Sequence, residues 1–389
     1  MPALFFLFSI FLFSCNNDDS PTSSSDSIIP KLYVCDQFND KVIVLDASTI
    51  DLDEIYSIDI NFTSDPEDSE VPHHITIDEE NGYWFVATTQ AGYIGMYDLS
   101  SDTLINSAYV GAMPALLTVD KSNKILYASK SSMETEMNTS NQIDVLSYDI
   151  DGLVVEEAII LSEIINDFRK PHAISLDANT SMGSSLVTAS YENDWMARVT
   201  DYSGHVSSTS TLTRIGLEVD DGSSLDTSNK YKPIAAAQKD DFIFLSCVGD
   251  SSDIKSQVQI WNLSELQGGP IDSLEFSINS RLWHITPSPI DTNVYVVLKG
   301  YSNVSSSSGL ASFGYDSSGT LTLNWQKTDS SFDGLHGVAI SADGSRLYVS
   351  SKGNGSMHVF NSSGQLLNSI PNVGGATKDL TGIALVQVP

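Results

Sequence analysis

Five of the chain's seven histidines stand at two adjacent positions of recurrent short β-rich runs. His73 (in the run HHITID), His172 (HAISLD) and His336 (HGVAIS) share one position, twice as Pro-His; His74 and His284 (WHITPS) come one residue later. Alternation along a strand turns adjacent residues to opposite faces, which predicts one set of three imidazoles and one of two. His73, His172 and His336 on one face are a candidate transition-metal site, holding copper or zinc with one coordination position open. The alternative is structural: each ring hydrogen-bonds loop carbonyls at the entry to a strand, and no cofactor is held. Ala115, Pro233, Trp283 and Thr381 stand at the same position of the other runs, and none of them is a good metal ligand.

Other chemistry is not signalled. The sequence has no GxSxG elbow, P-loop, HExxH or strand-associated GxGxxG. The acidic runs at 65–70 and 218–222 lack the spaced order of a calcium loop, so they read as solvated loops. With 19 basic against 50 acidic residues the formal charge is −31. Such a surface repels phosphate backbones, so nucleic acid is not an expected partner. Cys35 and Cys247 fall in well-separated runs and are expected to be buried thiols without a disulfide.

The elements that must position the histidines repeat along the chain. Residues 335–365 show the unit: an apolar run, an Ala-Asp-Gly turn, an alternating run, a Gly/Asn/Ser loop, a third run and a Ser-Ser-Gly turn before a fourth. Short β-rich runs punctuated by Asp-Gly and Ser-Gly are antiparallel strands joined by hairpins. The second-strand run recurs from Leu32, Tyr83, Ile125, Ser185, Phe242, Val294 and Arg346, at a spacing of roughly 40 to 60 residues, the period of a propeller blade. A first-strand run precedes every copy but the earliest, and the missing strand stands at the other end of the chain, Thr381 to Val386. The expected fold is therefore all-β: a seven-bladed β-propeller of four-stranded antiparallel blades, its first blade closed by the C-terminal strand.

The runs Leu32-Tyr33-Val34 through Val42-Ile43-Val44-Leu45-Asp46, and Leu347-Tyr348-Val349 through His358-Val359-Phe360, resemble the YVTN β-propeller repeat. That resemblance implies the fold over residues 31–389 and leaves function open, because propellers host binding modules, lactonases and redox enzymes alike. Pro-His before a strand also resembles the seven-bladed lactonases, although their active-site glutamate and arginine arrangement has no place in this sequence. A histidine-lined channel is similar in architecture to the copper centre of nitrous oxide reductase, whose second copper domain has no counterpart here.

Residues 3–13 form an apolar run too short to span a bilayer, ending at Ser14-Cys15 before Asn16-Asn17-Asp18-Asp19. This resembles a bacterial lipoprotein signal, with Leu12 to Cys15 as lipobox; the acidic tract after it resembles the surface-export signal of Bacteroidetes lipoproteins. The expected organisation is a signal peptide over 1–14, a lipidated Cys15 with a flexible acidic tether over 15–30, and the propeller over 31–389. The expected location is extracytoplasmic, at the outer membrane or cell surface, with the lipid anchor as the only membrane contact.

The longest irregular segments, 131–141, 191–195, 214–231, 249–256 and 300–308, converge on the face where the inner strands begin. Converging loops over a channel mouth are an expected binding surface. Its candidate residues are His73, His74, His172, His284, His336 and Trp283, with Tyr191 and Tyr301 placed to stack on a sugar or peptide. The expected function is non-catalytic binding of a protein, small molecule or glycan by a monomeric ring. The alternative is a metal-dependent redox or hydrolytic enzyme, lactonase-like, with the histidines in its channel.

Overall fold

The computed structural model describes residues 29–63, 68–111, 113–130, 142–156, 158–161, 168–177, 185–192, 194–199, 211–214, 231–250, 254–300 and 308–386. Seven antiparallel sheets follow one another, six of four strands and one, the third, with a short fifth. From blade 2 to blade 7 the innermost strands are Pro72–Asp78, Pro114–Asp120, Pro171–Asp177, Pro233–Lys239, Leu282–Pro287 and Leu335–Ile340. Blade 1 takes its innermost strand from the C-terminus: Leu380–Leu385 pairs with Lys31–Asp36, Leu32 opposite Leu385 and Val34 opposite Ile383. This closure is the one expected, with the strand starting one residue earlier. Lys31–Asp36 is thereby paired on both sides.

Burial falls from the second strand outward, and composition follows it. Second strands such as Tyr83–Thr88 and Ser185–Ser190 are buried at every residue, because neighbouring blades cover both faces. They therefore read as near-continuous apolar runs. Outermost strands such as Glu54–Asp59 are almost wholly exposed, and few apolar residues are needed there. Cys35 and Cys247 are buried free thiols in different blades.

Two backbone features shape the channel. In each blade the residue before the inner strand is left-handed: Val71 (φ 55°), Met113 (49°), Lys170 (50°), Lys232 (54°), Arg281 (45°), Gly334 (59°) and Asp379 (64°). In six of the blades its carbonyl accepts the N–H of the residue just past the second strand, Gln37, Thr89, Tyr191, Val248, Lys299 and Lys352. Those residues are thereby fixed at one level around the mouth. In addition, every inner strand bulges within its first few residues. Pro72 pairs with Thr88 and His74 with Ala87, so two steps on the inner strand oppose one on its neighbour. The same irregularity lies between Pro171 and Ala173, Pro233 and Ala235, Leu282 and Ile285, Leu335 and Val338, Pro114 and Leu117, and Leu380 and Ile383. Ser129 and Ser350 on the adjacent strands accept the freed N–H groups of Leu116 and Gly337, each at 2.9 Å.

Candidate functional site

The bulge lies at the histidines themselves. An extra residue at His73 and at His172 breaks strict alternation, so adjacent side chains are no longer forced to opposite sides. The contacts keep the expected sets, His172–His73–His336 and His74–His284, and a contact between His336 and His284 joins them. His172 lies 6.5 Å from His73, His73 5.3 Å from His336, His336 4.8 Å from His284, and His284 5.9 Å from His74, centroid to centroid. Blades 2, 4, 6 and 7 thus meet across the axis. The register also places Ile234, not Pro233, at the position of His73 and His172 in blade 5, since Pro233 pairs as Pro72 and Pro171 do. Trp283 sits beside His336 at 5.5 Å. Tyr191 is half-buried at the end of blade 4's second strand and packs against the core. Tyr301, Cys15 and most of the loop segments singled out above lie outside the described residues.

Hydrogen bonding fixes the proton on four of the five rings. The Lys352 ammonium can only donate, and it donates to Gln37 Oε1 at 3.0 Å. The Gln37 amide nitrogen therefore faces His73 Nδ1, at 2.9 Å, which makes Nδ1 an acceptor and leaves the proton on Nε2. The Leu117 backbone N–H donates to His74 Nδ1 at 3.2 Å, so His74 also carries its proton on Nε2. His172 Nδ1 donates to the Ile234 carbonyl at 2.7 Å and keeps its lone pair on Nε2. Trp283 Nε1 donates to His336 Nε2 at 2.8 Å, which puts the His336 proton on Nδ1. That nitrogen, and His284 Nε2, are buried without a protein partner.

Burial holds all five rings neutral. It pushes His74 and His172 down to about 4, and His73, His284 and His336 well below the ordinary imidazole range. Neighbouring cations act in the same direction. His336 lies within the influence of Lys299 and Lys352, and His284 within that of Lys299.

Lys299, Lys352 and Gln37 were not singled out from sequence, yet they occupy one equivalent position in blades 6, 7 and 1. A Lys-Gly pair just past two second-strand runs, Lys299-Gly300 and Lys352-Gly353, was the available signal. The Lys299 ammonium stands 3.8 Å from the Trp283 ring centroid. Burial first, then Lys352 and Arg281, bring its pKa down to about 7; the indole face opposes this by favouring the charged form. Lys352 is lowered too, chiefly by burial, with Asp379 as its acidic neighbour. His74 and His284 help to wall a cavity of about 270 Å³ lined by residues of all seven inner strands, among them Leu117, Ile174, Val338 and Ile383.

A metal on His73, His172 and His336 needs three imidazole lone pairs. The His73 Nδ1 pair is engaged by Gln37 and the His336 Nε2 pair by Trp283, leaving His172 Nε2 as the one open among the three. Among the described residues no group of three or more His, Cys, Asp or Glu side chains is arranged to hold a metal ion. What the arrangement offers is a layer of imidazole N–H donors beside two half-buried lysines.

No family model matches the sequence, and no curated protein does. Among solved structures the fold is that of seven-bladed propellers. A candidate 6-phosphogluconolactonase of Bacteroides uniformis superposes with a TM-score of 0.66 at 12% identity, over 92% of this chain and 99% of that one. The periplasmic gluconolactonase of Pseudomonas aeruginosa gives 0.64 at 16%, over 93% and 100%. A protein of unknown function from Desulfotomaculum acetoxidans gives 0.65 at 13%, over 92% and 99%. At such identities the likeness establishes the propeller architecture and nothing narrower.

Proposed function

We propose that this chain is an extracytoplasmic binding propeller, tethered through Cys15, that takes its ligand at the mouth of the axial channel and releases it unchanged. The observation that carries this reading is the state of the imidazoles. Efficient general acid–base catalysis at neutral pH wants a pKa near 7, whereas His74 and His172 are held near 4 and the other rings are also pushed down. Neutral rings with their protons fixed by neighbours are suited to holding a ligand by hydrogen bonds. The expected surroundings follow from the leader sequence: an outer membrane or cell surface, a lipid anchor as the membrane contact, and a monomeric ring presenting a small molecule, glycan or protein with its mouth.

The competing reading is lactone hydrolysis. It is favoured by Lys299, an amine near 7 in the channel mouth, and by the gluconolactonase names borne by similar folds. Both readings meet in one experiment on the full-length protein, purified without chelator. Binding without turnover predicts that δ-gluconolactone opens no faster than in buffer, by pH-stat, and that elemental analysis finds no stoichiometric copper or zinc. Hydrolysis several-fold above buffer that is lost in His172→Ala overturns the proposal. So does about one metal ion per chain that disappears in the His73→Ala/His172→Ala/His336→Ala triple variant.

A further inference from the structure

We infer that the channel mouth is an oxyanion site, in which Lys299 and Lys352 supply charge and the imidazole N–H groups of His73 and His336 supply directed donors to a carboxylate or phosphate group. The inference rests on the binding reading above and adds the chemical class of the ligand. Its first support is the His336 Nδ1–H. Trp283 has no acceptor to offer and forces the proton onto Nδ1; the side chain is 1% exposed, and no protein acceptor reaches that nitrogen. A buried donor left in this condition costs free energy unless something accepts from it. His73, 5.3 Å away, also has its proton on the nitrogen that Gln37 leaves free.

The second support is the sign of the charges. A protein with 50 acidic residues could place a carboxylate beside nearly any buried cation, and it does so for Lys130 with Asp144 and for Lys31 with Asp102. At the mouth the pattern changes. The charged groups that bear on Lys299 are Lys352 and Arg281, both cations. His336 lies near the neutral rings of His284 and His73 and near Lys299 and Lys352, and among the described residues the carboxylate bearing on this group is that of Asp379, beside Lys352. Like charges gathered in a half-buried site repel, and an anion that neutralises them is bound by the relief of that repulsion together with charge-assisted hydrogen bonds. Two lysines, each preceding a glycine, stand at the same position of consecutive blades.

Bound anion raises the Lys299 pKa from its free value of about 7. Affinity is therefore full below pH 7 and falls as pH rises above that value, up to about tenfold per pH unit, until the bound-state pKa is passed. The groups facing Lys299 are Arg281, Lys352, the Trp283 ring and the neutral imidazoles, and burial lowers Lys352 in the same sense.

The test is calorimetric titration of the full-length protein with sodium acetate and, separately, sodium phosphate, at low ionic strength and at several values from pH 6 to 9. The expected result is saturable binding of at least one anion at pH 6, weakening above pH 7. Lys299→Met is expected to lose at least tenfold in affinity. Lys299→Arg keeps the charge and should hold the low-pH affinity up to pH 9, a rescue that a merely structural lysine would not give. Preference for acetate assigns a carboxylate and preference for phosphate a phosphoryl group. Failure of both anions to saturate by 100 mM (roughly the limit of weak specific binding), or unaltered binding by Lys299→Met, overturns the assignment. A protein that opens the lactone fails the binding reading whichever anion it holds; one that does neither fails only the oxyanion assignment.

Discussion

Replacing Asp102 with alanine is expected to destabilise the propeller by about 3–5 kcal/mol, because the substitution strands several donors at the seam between blades 1 and 2. Asp102 follows blade 2's third strand in a left-handed conformation, φ 54°, and is 7% exposed. Its Oδ1 accepts from Tyr33 Oη at 2.7 Å and Trp84 Nε1 at 2.9 Å; its Oδ2 accepts from Lys31 Nζ at 2.6 Å and from the Tyr56 hydroxyl. Tyr33 and Trp84 are wholly buried and pack with ring centroids 5.1 Å apart, and Trp84 stacks on Tyr97 at 4.0 Å. With alanine at 102, both wholly buried rings lose the acceptor they share. Asp102→Asn keeps one accepting oxygen and should lose less. Denaturant midpoints for the two variants check the ordering; a loss below about 1 kcal/mol for alanine would show that the seam does not depend on this carboxylate.

Lys130→Met is expected to cost a similar amount, about 3–5 kcal/mol, for a different reason. Lys130 and Asp144 form an ion pair at 2.5 Å, with side chains 0% and 3% exposed. Lys130 also donates to the Val110 carbonyl at 2.7 Å, and Gln142 donates to Asp144 at 2.7 Å. Removing the ammonium leaves a buried carboxylate with one amide for company. Burial already raises the Asp144 pKa against the pull of Lys130, and without that pull it must rise further. A folded-state pKa above the unfolded one means that the folded state binds the proton more tightly. The variant's deficit should therefore be largest at neutral and alkaline pH and shrink as pH falls through the raised value. The Lys130→Met/Asp144→Leu double variant, with no charge left to desolvate, should regain most of the loss. Denaturation of single and double variants at pH 5 and 8 decides the matter; a single variant insensitive to pH, or a double variant no better than the single, would contradict the account.

The parts of the molecule that were legible in sequence are those whose environment dictates residue type. Second strands are covered on both faces, so Tyr83–Thr88 or Arg346–Ser351 announce themselves as apolar or small-residue runs. The closing strand Leu380–Leu385 was readable because it repeats the register of Leu335–Ile340. Glycine in that strand carries a packing requirement too: a Cβ on Gly382 would lie 2.4 Å from the His73 carbonyl oxygen and 2.7 Å from the His74 Cα. The recurrence of histidine was equally plain, but its geometry was not. A bulge is a two-against-one pairing of backbones, and nothing in Pro-His-His distinguishes it from a regular strand, so the contact of His284 with His336 that joins the two sets was not readable. The protonation pattern lay further out of reach. It depends on Gln37, Trp283 and Lys352, which are 36, 53 and 315 residues from the partners they fix. Only the closed ring brings them together.

Four of the channel imidazoles are neutral and hold their protons where neighbouring groups fix them. Long-range ¹H–¹⁵N correlation spectra of the full-length protein labelled at histidine report tautomer and charge for each ring directly, with single His→Gln variants supplying the assignment. The account predicts protons on Nε2 of His73 and His74 and on Nδ1 of His172 and His336, with all four rings neutral at pH 7. Imidazolium signals from these residues at pH 7, or a proton on Nδ1 of His73 together with one on Nε2 of His336, would contradict it.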